Sequence, residues 1–519
     1  MNSLRRNVIA NFVGRGWSSL LNLALVPLYG RMLGVEALGL IGFNALLNQT
    51  FNLLDMGFSP TISRETARLT SPSGASSREE DLVRATNLRS LVRTLEIVYW
   101  PIALVIAGSI ALFARPIAHH WLRAVEGMPV NSIWHSVLLM GISIAVQWPY
   151  TLYEGGLTGL QKQVLLNGLL AFFATLRGFG AVVVILRFHT IEAFFVWQIA
   201  TFLLQTLSVT VALWSCLPPS NSKPSFDHAE LRSILNFASG MTGIVALGFV
   251  LTQMDKVMLS RLLTLREYAY YTLAWGGAGG VYFVIAPIYS AYFPRFVHAV
   301  PHEDVNGGKF DRDALSCLFH QACQMLAVLS LPVAAVFAID SKNLLYAWTA
   351  SATMTSHSSR YLTLMAIGFG LFGLMHIPLA TLLAAGKTKI VLRHNLVSVV
   401  CALPIMIVAV SRAGAAAAVL VWIGVNVAYL LWLSPWVFRE FLPKERSRWS
   451  VDDVAIPLAI SVLVAAVAHF TLMNFARGPH LRLRSGVEVA AVWAITALTC
   501  VMATPLPRKQ LMGLRLRAN

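Results

Sequence analysis

Long apolar runs alternate with short polar connectors over almost the whole chain. Each run holds about 20 residues, the length of an α-helix that crosses a hydrocarbon core about 30 Å thick. The pattern predicts an all-α polytopic membrane protein with about fourteen transmembrane helices. The predicted spans are residues 8–32, 37–62, 95–114, 132–156, 165–187, 191–214, 236–261, 268–293, 314–338, 362–385, 391–411, 414–438, 454–472 and 486–504.

The composition agrees with a membrane protein, since 56% of the 519 residues are hydrophobic and only 12% are charged. Soluble domains are about 45–50% apolar. The net charge of +16 would indicate nucleic-acid binding in a soluble protein. In a membrane protein, basic loops that orient the helices explain it better, so no nucleic-acid partner is expected.

The positions of lysine and arginine predict the orientation of the chain. Of the 40 basic residues, 25 fall at the two termini or in one set of alternate loops, 12 in the opposite loops and 3 within predicted helices. Basic residues accumulate on the cytoplasmic side of a membrane. Both termini are therefore predicted to be cytoplasmic.

Landmark residues recur at a spacing of 227–234 residues, which predicts an internal duplication of a six-helix unit. Since six is even, both copies would insert in the same orientation, with a pseudo-twofold axis along the membrane normal. The predicted domains are 1–220 and 221–440, followed by two extra helices and a cytoplasmic tail in 441–519. The matching pairs are Arg31 with Arg261, Pro101 with Pro332, Pro149 with Pro378, Lys162 with Lys389, and Pro60 with Pro294.

Several ionisable residues lie inside the apolar runs, where a charge costs about 2.5–3.5 kcal/mol at the bilayer centre. Arg15 and Asp55 fall at similar depths on the first two helices, so they could pair. Arg177 lies near the middle of the fifth helix, and Asp255 and Lys256 lie towards the outer end of the seventh. Two interpretations stay open: the cations line a substrate cavity and pass a polyanionic group across the bilayer, or the charges form structural ion pairs.

Aromatic residues follow the predicted eighth helix at spacings of 3, 4, 7 and 7 residues, which keeps them near one face. The face comprises Tyr268, Tyr271, Trp275, Tyr282 and Tyr289. Tyr282 lies at mid-depth, where its hydroxyl needs a polar partner. Tyr282 and Tyr289 are therefore candidates for a sugar path, because sugar rings stack on aromatic faces, and ordinary helix packing is the alternative.

Motifs for enzymatic chemistry, metals and cofactors are missing from the sequence. The five cysteines form no CxxC pair, and no HExxH motif or nucleophile elbow occurs. Gly386-Lys387-Thr388 resembles the end of a phosphate-binding loop, but Thr381 stands where that motif requires glycine. Glu154 is expected to be solvated near a cytoplasmic helix end. No cofactor or metal is predicted, and the protein is not expected to be an enzyme.

The second half resembles the signature of polysaccharide repeat-unit flippases, which include O-antigen and exopolysaccharide flippases, through Gln253-x-Asp255-Lys256 and Tyr271-x-Leu273-Ala274. The opening resembles the first two helices of that family. The chain departs from the usual pattern at Thr264 and Ala269. The matching opening segments are Asn11, Gly14, Pro27-Leu28-Tyr29, Leu33-Gly34, Gly39-Leu40, Leu54-Asp55-Met56-Gly57 and Arg64-Glu65.

The resemblance implies two six-helix lobes around a central cavity that opens alternately to each side of the membrane. It implies outward translocation of an undecaprenyl-pyrophosphate-linked oligosaccharide, without chemical change, for surface polysaccharide biosynthesis. Membrane lipids and a polysaccharide polymerase are the implied partners. Asp255 is a candidate for proton or ion coupling, with Asp55 a second. Alternatives are a multidrug or cation antiporter, a lipid II flippase and, further away, a membrane glycosyltransferase or ligase.

Overall fold

A computed structural model describes residues 3–55, 58–70, 78–123, 128–220, 224–300, 311–475 and 481–505. In these ranges the chain is helical, and β-type pairing is confined to one bridge between Arg123 and Thr264. Ten helical segments among them are long and apolar enough to cross a membrane. The all-α polytopic membrane fold is therefore confirmed. The predicted cytoplasmic tail lies mostly outside the described residues.

The chain divides into two compact units, Met1–Ala269 and Tyr270–Asn519, and the division falls inside helix α10. The predicted domain limits at 220 and 440 stay a prediction. Within the first unit, α1 packs on α7, α4 on α5, α8 on both α5 and α7, and α3 on α6. Its helices are α1 Ser3–Leu33, α2 Val35–Asn52, α3 Phe58–Thr70, α4 Arg78–Pro116, α5 Val130–Gln147, α6 Tyr150–Gly159, α7 Gln163–Phe188, α8 Ile191–Cys216, α9 His228–Leu262 and the start of α10 Leu265–Ala278.

Within the second unit, α14 packs on α11, α12 and α15, and the last two long helices, α17 and α18, pack on each other and on α12. A small apolar core joins α12, α17 and α18 through Val336, Ala465 and Val492. The helices after α10 are α11 Tyr282–Ala299, α12 Arg312–Ile339, α13 Ser341–Thr349, α14 Ala352–Ala384, α15 Thr388–Glu440, α16 Arg446–Arg448, α17 Ile456–Phe475 and α18 Leu481–Ala503.

The 53-residue helix α15 is a hairpin of two membrane passes. Gly414 interrupts it with a φ of 67°, a left-handed conformation that glycine adopts without steric cost. The arms pack side by side, because the ring centroids of His394 and Tyr429 lie 4.0 Å apart. An ion pair of 2.7 Å between Lys387 Nζ and Glu440 Oε1 joins the two ends. The two predicted spans 391–411 and 414–438 are these arms.

The predicted eighth span, in contrast, is broken into two helices. A 3₁₀ segment, Gly279–Val281, separates α10 from α11. The tighter winding of a 3₁₀ turn changes the angle at which later side chains leave the helix axis. The aromatic residues nevertheless keep to the side that faces α14, where Tyr271 contacts Tyr361, Trp275 contacts Phe369 and Tyr289 contacts His376. The prediction that they share one face is therefore confirmed for these residues. Tyr268 and Tyr271 are fully buried, whereas Tyr282 is 41% exposed.

Candidate functional site

Arg177 on α7 is a half-buried cation whose side-chain partners are neutral. Its Nη1 donates to Gln205 Oε1 on α8 at 2.9 Å, and its guanidinium carbon lies 4.2 Å from the ring centroid of Phe202. Trp197 Nε1 donates to the backbone oxygen of Arg177 at 3.2 Å and fixes the helix beneath it. In the described part of the chain, no carboxylate lies within ion-pair distance of Arg177. Its positive charge therefore stays uncompensated inside the bundle, which favours an anion nearby.

Arg15 pairs with Glu154, and its predicted pairing with Asp55 is wrong. Arg15 Nη2 donates to Glu154 Oε1 at 2.6 Å. The Glu154 side chain is 24% exposed, against 62% for that of Arg15, so the expectation of a solvated Glu154 is also wrong. A count of depth along the sequence does not reveal this partner, since Glu154 lies on α6, far from α1 in the chain.

Asp55 lies between neutral hydroxyl groups. Its Oδ1 accepts hydrogen bonds from the Tyr99 hydroxyl at 2.7 Å and from Thr151 Oγ1 at 3.1 Å. Its Oδ2 accepts the backbone N–H of Ser59 at 3.3 Å, near the start of α3. A carboxylate at a helix N-terminus satisfies exposed N–H groups and favours the helix dipole. These contacts hold Asp55 beside the start of α3, while its proposed coupling role stays a prediction.

Tyr150 on α6 joins the surroundings of Arg15 to those of Arg177. It hydrogen-bonds to Gln205, the amide that also holds Arg177, and it interacts electrostatically with Arg15 and Glu154. We call Arg15, Glu154, Tyr150, Gln205 and Arg177 the polar file. It runs from the exposed Arg15 on α1 through α6 and α8 to the half-buried Arg177 on α7. Two of the three predicted cations are therefore connected.

Lys256 does not belong to this file. It lies on α9, where its Nζ donates to Asp255 Oδ1 at 3.3 Å and to the backbone oxygen of Thr252 at 2.8 Å. Both side chains are buried, with exposures of 9% for Lys256 and 5% for Asp255. Each charge is largely compensated by its sequence neighbour. This geometry is typical of a structural pair, while the proposed cavity and coupling roles of these residues stay predictions.

The two predicted tyrosines of the second unit surround a histidine that the sequence analysis did not select. The ring centroid of His376 on α14 lies 5.7 Å from that of Tyr289 and 6.1 Å from that of Tyr282. Phe372 completes the group at 4.4 Å, and its backbone oxygen lies 2.6 Å from His376 Nδ1. An ionisable residue within an apolar run was the available signal. Trp275, Phe369 and Trp422 extend the cluster along α10, α14 and α15.

Two further groups of histidine–carboxylate contacts, also missed from the sequence, hold α17 and the π-helical turn Trp449–Ala455 before it against α12. We call them the first and second clamps. In the first clamp, His320 Nδ1 lies 2.5 Å from Asp453 Oδ2 and Nε2 lies 3.0 Å from Glu445 Oε2. Gln324 Nε2 donates to the second oxygen of Asp453 at 2.9 Å. In the second clamp, His469 Nδ1 lies 2.5 Å from Asp340 Oδ1. The two clamps lie at opposite ends of the α12–α17 contact.

The contacts of the first clamp also change the pKa of Glu445, which lies in the connector before α16. Burial raises the pKa of Glu445, but its hydrogen bonds with His320 and Ser316 outweigh burial and hold that pKa below its ordinary value. Glu445 is therefore ionised at neutral pH. Among the described residues, no group of three or more His, Cys, Asp or Glu side chains is arranged to hold a metal ion.

Two family models match the sequence. The first, described as polysaccharide biosynthesis protein, matches residues 4–300, and the second, described as MatE, matches residues 241–408. No curated protein matches the chain significantly by sequence.

Solved structures share the fold. The lipid II flippase MurJ, in an inward closed conformation, aligns with a TM-score of 0.68 at 12% identity over 95% of this chain and 97% of that one. An inward-facing multidrug resistance transporter of the MATE family, in the MOP superfamily, aligns with a TM-score of 0.61 at 16% identity over 85% and 98%. The MATE multidrug transporter DinF-BH in complex with R6G aligns with a TM-score of 0.51 at 14% identity over 84% and 95%.

Proposed function

Because the chain belongs to the polysaccharide biosynthesis protein family of multi-pass membrane transporters, we propose that it is a flippase for lipid-linked oligosaccharides. Its substrate would be a repeat unit on undecaprenyl pyrophosphate, moved by alternating access from the cytoplasmic to the outer leaflet of a bacterial inner membrane. The protein makes no covalent change to the substrate. Both termini would then be cytoplasmic, and the product would pass to a polysaccharide polymerase.

The uncompensated charge of Arg177 is the observation that carries this proposal. A pyrophosphate that links a polyprenol to a sugar carries two negative charges at neutral pH, and a guanidinium binds phosphate oxygens through two parallel hydrogen bonds. Gln205 and Phe202 hold the guanidinium without neutralising it. Glu154 balances Arg15 at the other end of the polar file, so the positive charge is concentrated at Arg177.

The aromatic cluster around His376 supports a sugar-bearing substrate. Tyr282 exposes its ring and lies beside Phe372 and His376, and Tyr289 stacks on Phe293 at 5.5 Å. Aromatic faces bind the apolar faces of sugar rings, while tyrosine hydroxyls and imidazole hydrogen-bond to sugar hydroxyls. A purely hydrophobic drug path would not need this combination.

The test uses cells in which this gene is the sole exporter of its surface polysaccharide. Replacing Arg177 by Ala removes the cation, and we expect well-expressed protein, lost surface polysaccharide and lipid-linked oligosaccharide accumulating in the cytoplasmic leaflet. Arg187→Ala is the matched control, because Arg187 lies on the same helix but is exposed, 5.7 Å above the ring of Phe188. Normal surface polysaccharide in the Arg177→Ala strain would contradict the proposal.

A multidrug antiporter of the same superfamily is the alternative, and Asp55 is the observation that favours it. This carboxylate is held by hydroxyl groups, with no cation within ion-pair distance in the described residues, as a site for an organic cation would require. Drug resistance that depends on Asp55, in a strain with unchanged surface polysaccharide, would favour the antiporter.

A further inference from the structure

The first unit contains a pocket of about 510 Å³ lined by α2, α4 and the end of α9 at Arg261. The predicted orientation places this end of α9 on the outer side of the membrane. Its wall is apolar over most of its height, with Phe43 and Phe51 on α2, Phe113 on α4 and Val257 on α9. Neither the polar file nor the aromatic cluster takes part in it. The pocket is therefore a separate feature, which the proposed transport function does not explain.

The ionisable residues of the pocket, Arg261 and His120, lie at one end. There the π-helical turn Ile117–Trp121 follows Pro116 and brings His120 and Trp121 over the end of α9. Trp121 Nε1 donates to Ser260 Oγ at 2.9 Å, and the guanidinium carbon of Arg261 lies 5.3 Å from the Trp121 ring. Arg261 and His120 are both exposed. This end of the pocket is therefore suited to an anionic group.

The height of the pocket matches one lipid chain. On α2 the lining residues run from Phe43 to Phe51, a rise of about 12 Å, and on α4 and the following turn they run from Ser109 to Trp121, about 18 Å. Half of a hydrocarbon core is about 15 Å thick. A chain that enters beside Arg261 thus fills the pocket over the depth of about one leaflet.

We propose that this pocket binds one acyl chain of an anionic phospholipid, with the lipid phosphate against Arg261 and His120. The apolar wall holds the chain by burying its surface. The arginine, positioned on the Trp121 ring, contributes charge-assisted hydrogen bonds to the phosphate. The bound chain packs α9 against α2 and α4, so this lipid stabilises the end of α9 that carries Asp255 and Lys256.

The test measures lipid binding to the purified full-length protein by native mass spectrometry, with thermal unfolding as a second readout. Dioleoyl-phosphatidylglycerol should bind and raise the unfolding temperature. Dioleoyl-phosphatidylcholine, with the same chains and a neutral headgroup, should bind more weakly. Glycerol phosphate, the headgroup without chains, should show no saturable binding.

Two variants separate the headgroup from the chain. Arg261→Gln should weaken phosphatidylglycerol binding about fivefold, as expected for one basic residue at a lipid surface, and leave phosphatidylcholine binding unchanged. Ser109→Trp places a large ring in the pocket and should abolish binding of both lipids, and Thr50→Trp serves the same purpose if Ser109→Trp does not fold. Arg187→Gln, another exposed arginine beside an aromatic ring, should have no effect.

Equal phosphatidylglycerol affinity in the wild type and in Arg261→Gln would overturn the proposal. Binding that survives a folded pocket-filling variant would overturn it too. Undecaprenyl phosphate that displaces phosphatidylglycerol one for one, with loss in the same variants, would refute the phospholipid assignment and identify the pocket as a site for the carrier lipid.

Discussion

The first clamp predicts a large and specific loss of stability when Asp453 is replaced by Ala. His320 and Asp453 have side-chain exposures of 1% and 0%, and their ring nitrogen and carboxylate oxygen are 2.5 Å apart. Since a carboxylate only accepts hydrogen bonds, both nitrogens of His320 donate when Asp453 and Glu445 are ionised. Removing one partner of such a buried pair costs about 3–5 kcal/mol.

The pairwise energy is measured by a double-mutant cycle with His320→Ala, Asp453→Ala and the double variant. The free energy of unfolding of the purified protein in mild detergent is the readout. Because the two side chains touch, the sum of the losses in the two single variants should exceed the loss in the double variant by about 1–3 kcal/mol. Asp452→Asn is the control, since it alters the neighbouring carboxylate, which is only partly buried. Its effect should stay within about 0.5 kcal/mol.

Additive losses from the two single variants would refute this reasoning, because they would mean that His320 and Asp453 do not interact. A loss from Asp453→Ala no larger than that from Asp452→Asn would refute it as well. In Asp453→Ala, loss of the contact with His320 should release the segment from α16 to α17 from α12. Limited proteolysis in the 441–455 connector should therefore become faster in Asp453→Ala than in the wild type.

Other contacts give further predictions. The pKa of Glu445 lies below its ordinary value, so its contribution to stability is present at neutral pH and is lost as the pH falls below about 4.3. Glu445→Gln should therefore reduce the fall in the free energy of unfolding in this acidic range. An unchanged pH dependence would disprove the assignment. Glu154→Gln leaves Arg15 without its partner, and transport should fall more than in Arg15→Gln/Glu154→Gln; equal defects would contradict coupling in the pair. Tyr282→Phe should reduce export of some glycans more than others, measured as surface polysaccharide, whereas equal export of all glycans would favour packing alone.

Hydrophobic periodicity predicted the helices well because a membrane span must satisfy its own backbone hydrogen bonds along its whole length. The two arms of α15, for example, agree with their predicted spans to within a few residues. Breaks inside a span were missed. The 3₁₀ segment Gly279–Val281 leaves the apolar pattern unchanged, so the pattern does not reveal it.

Side-chain partners were less predictable than helices. Depth along a helix suggested that Arg15 could meet Asp55, but Arg15 pairs with Glu154 on α6 instead, and depth alone does not define which helix faces which. His320 and His376 lie in apolar runs and were available to the rule that intramembrane ionisable residues are functional candidates. The partners of His320 lie 125 and 133 residues away along the chain. Those of His376 include Tyr282 and Tyr289 on α11. No local spacing in the sequence reveals such contacts.

Arg177 shows what the sequence can and cannot predict about a single residue. Its position in the middle of an apolar helix marked it as an exceptional residue. That its guanidinium is held by Gln205 and Phe202, and linked through Tyr150 towards Arg15, follows only from the packing of α6, α7 and α8. The absence of a carboxylate partner among the described residues is the property on which the transport proposal depends.

Translocation by the purified protein in proteoliposomes tests the central claim most directly. Undecaprenyl-pyrophosphate-linked oligosaccharide is placed in one leaflet, and its appearance in the other is followed with an impermeant glycan-binding lectin. The account predicts transfer by the wild type and by Arg187→Ala, and transfer at the rate of protein-free liposomes by Arg177→Ala. Transfer that is unchanged in Arg177→Ala, or a wild type that moves organic cations but not the lipid-linked glycan, would contradict it.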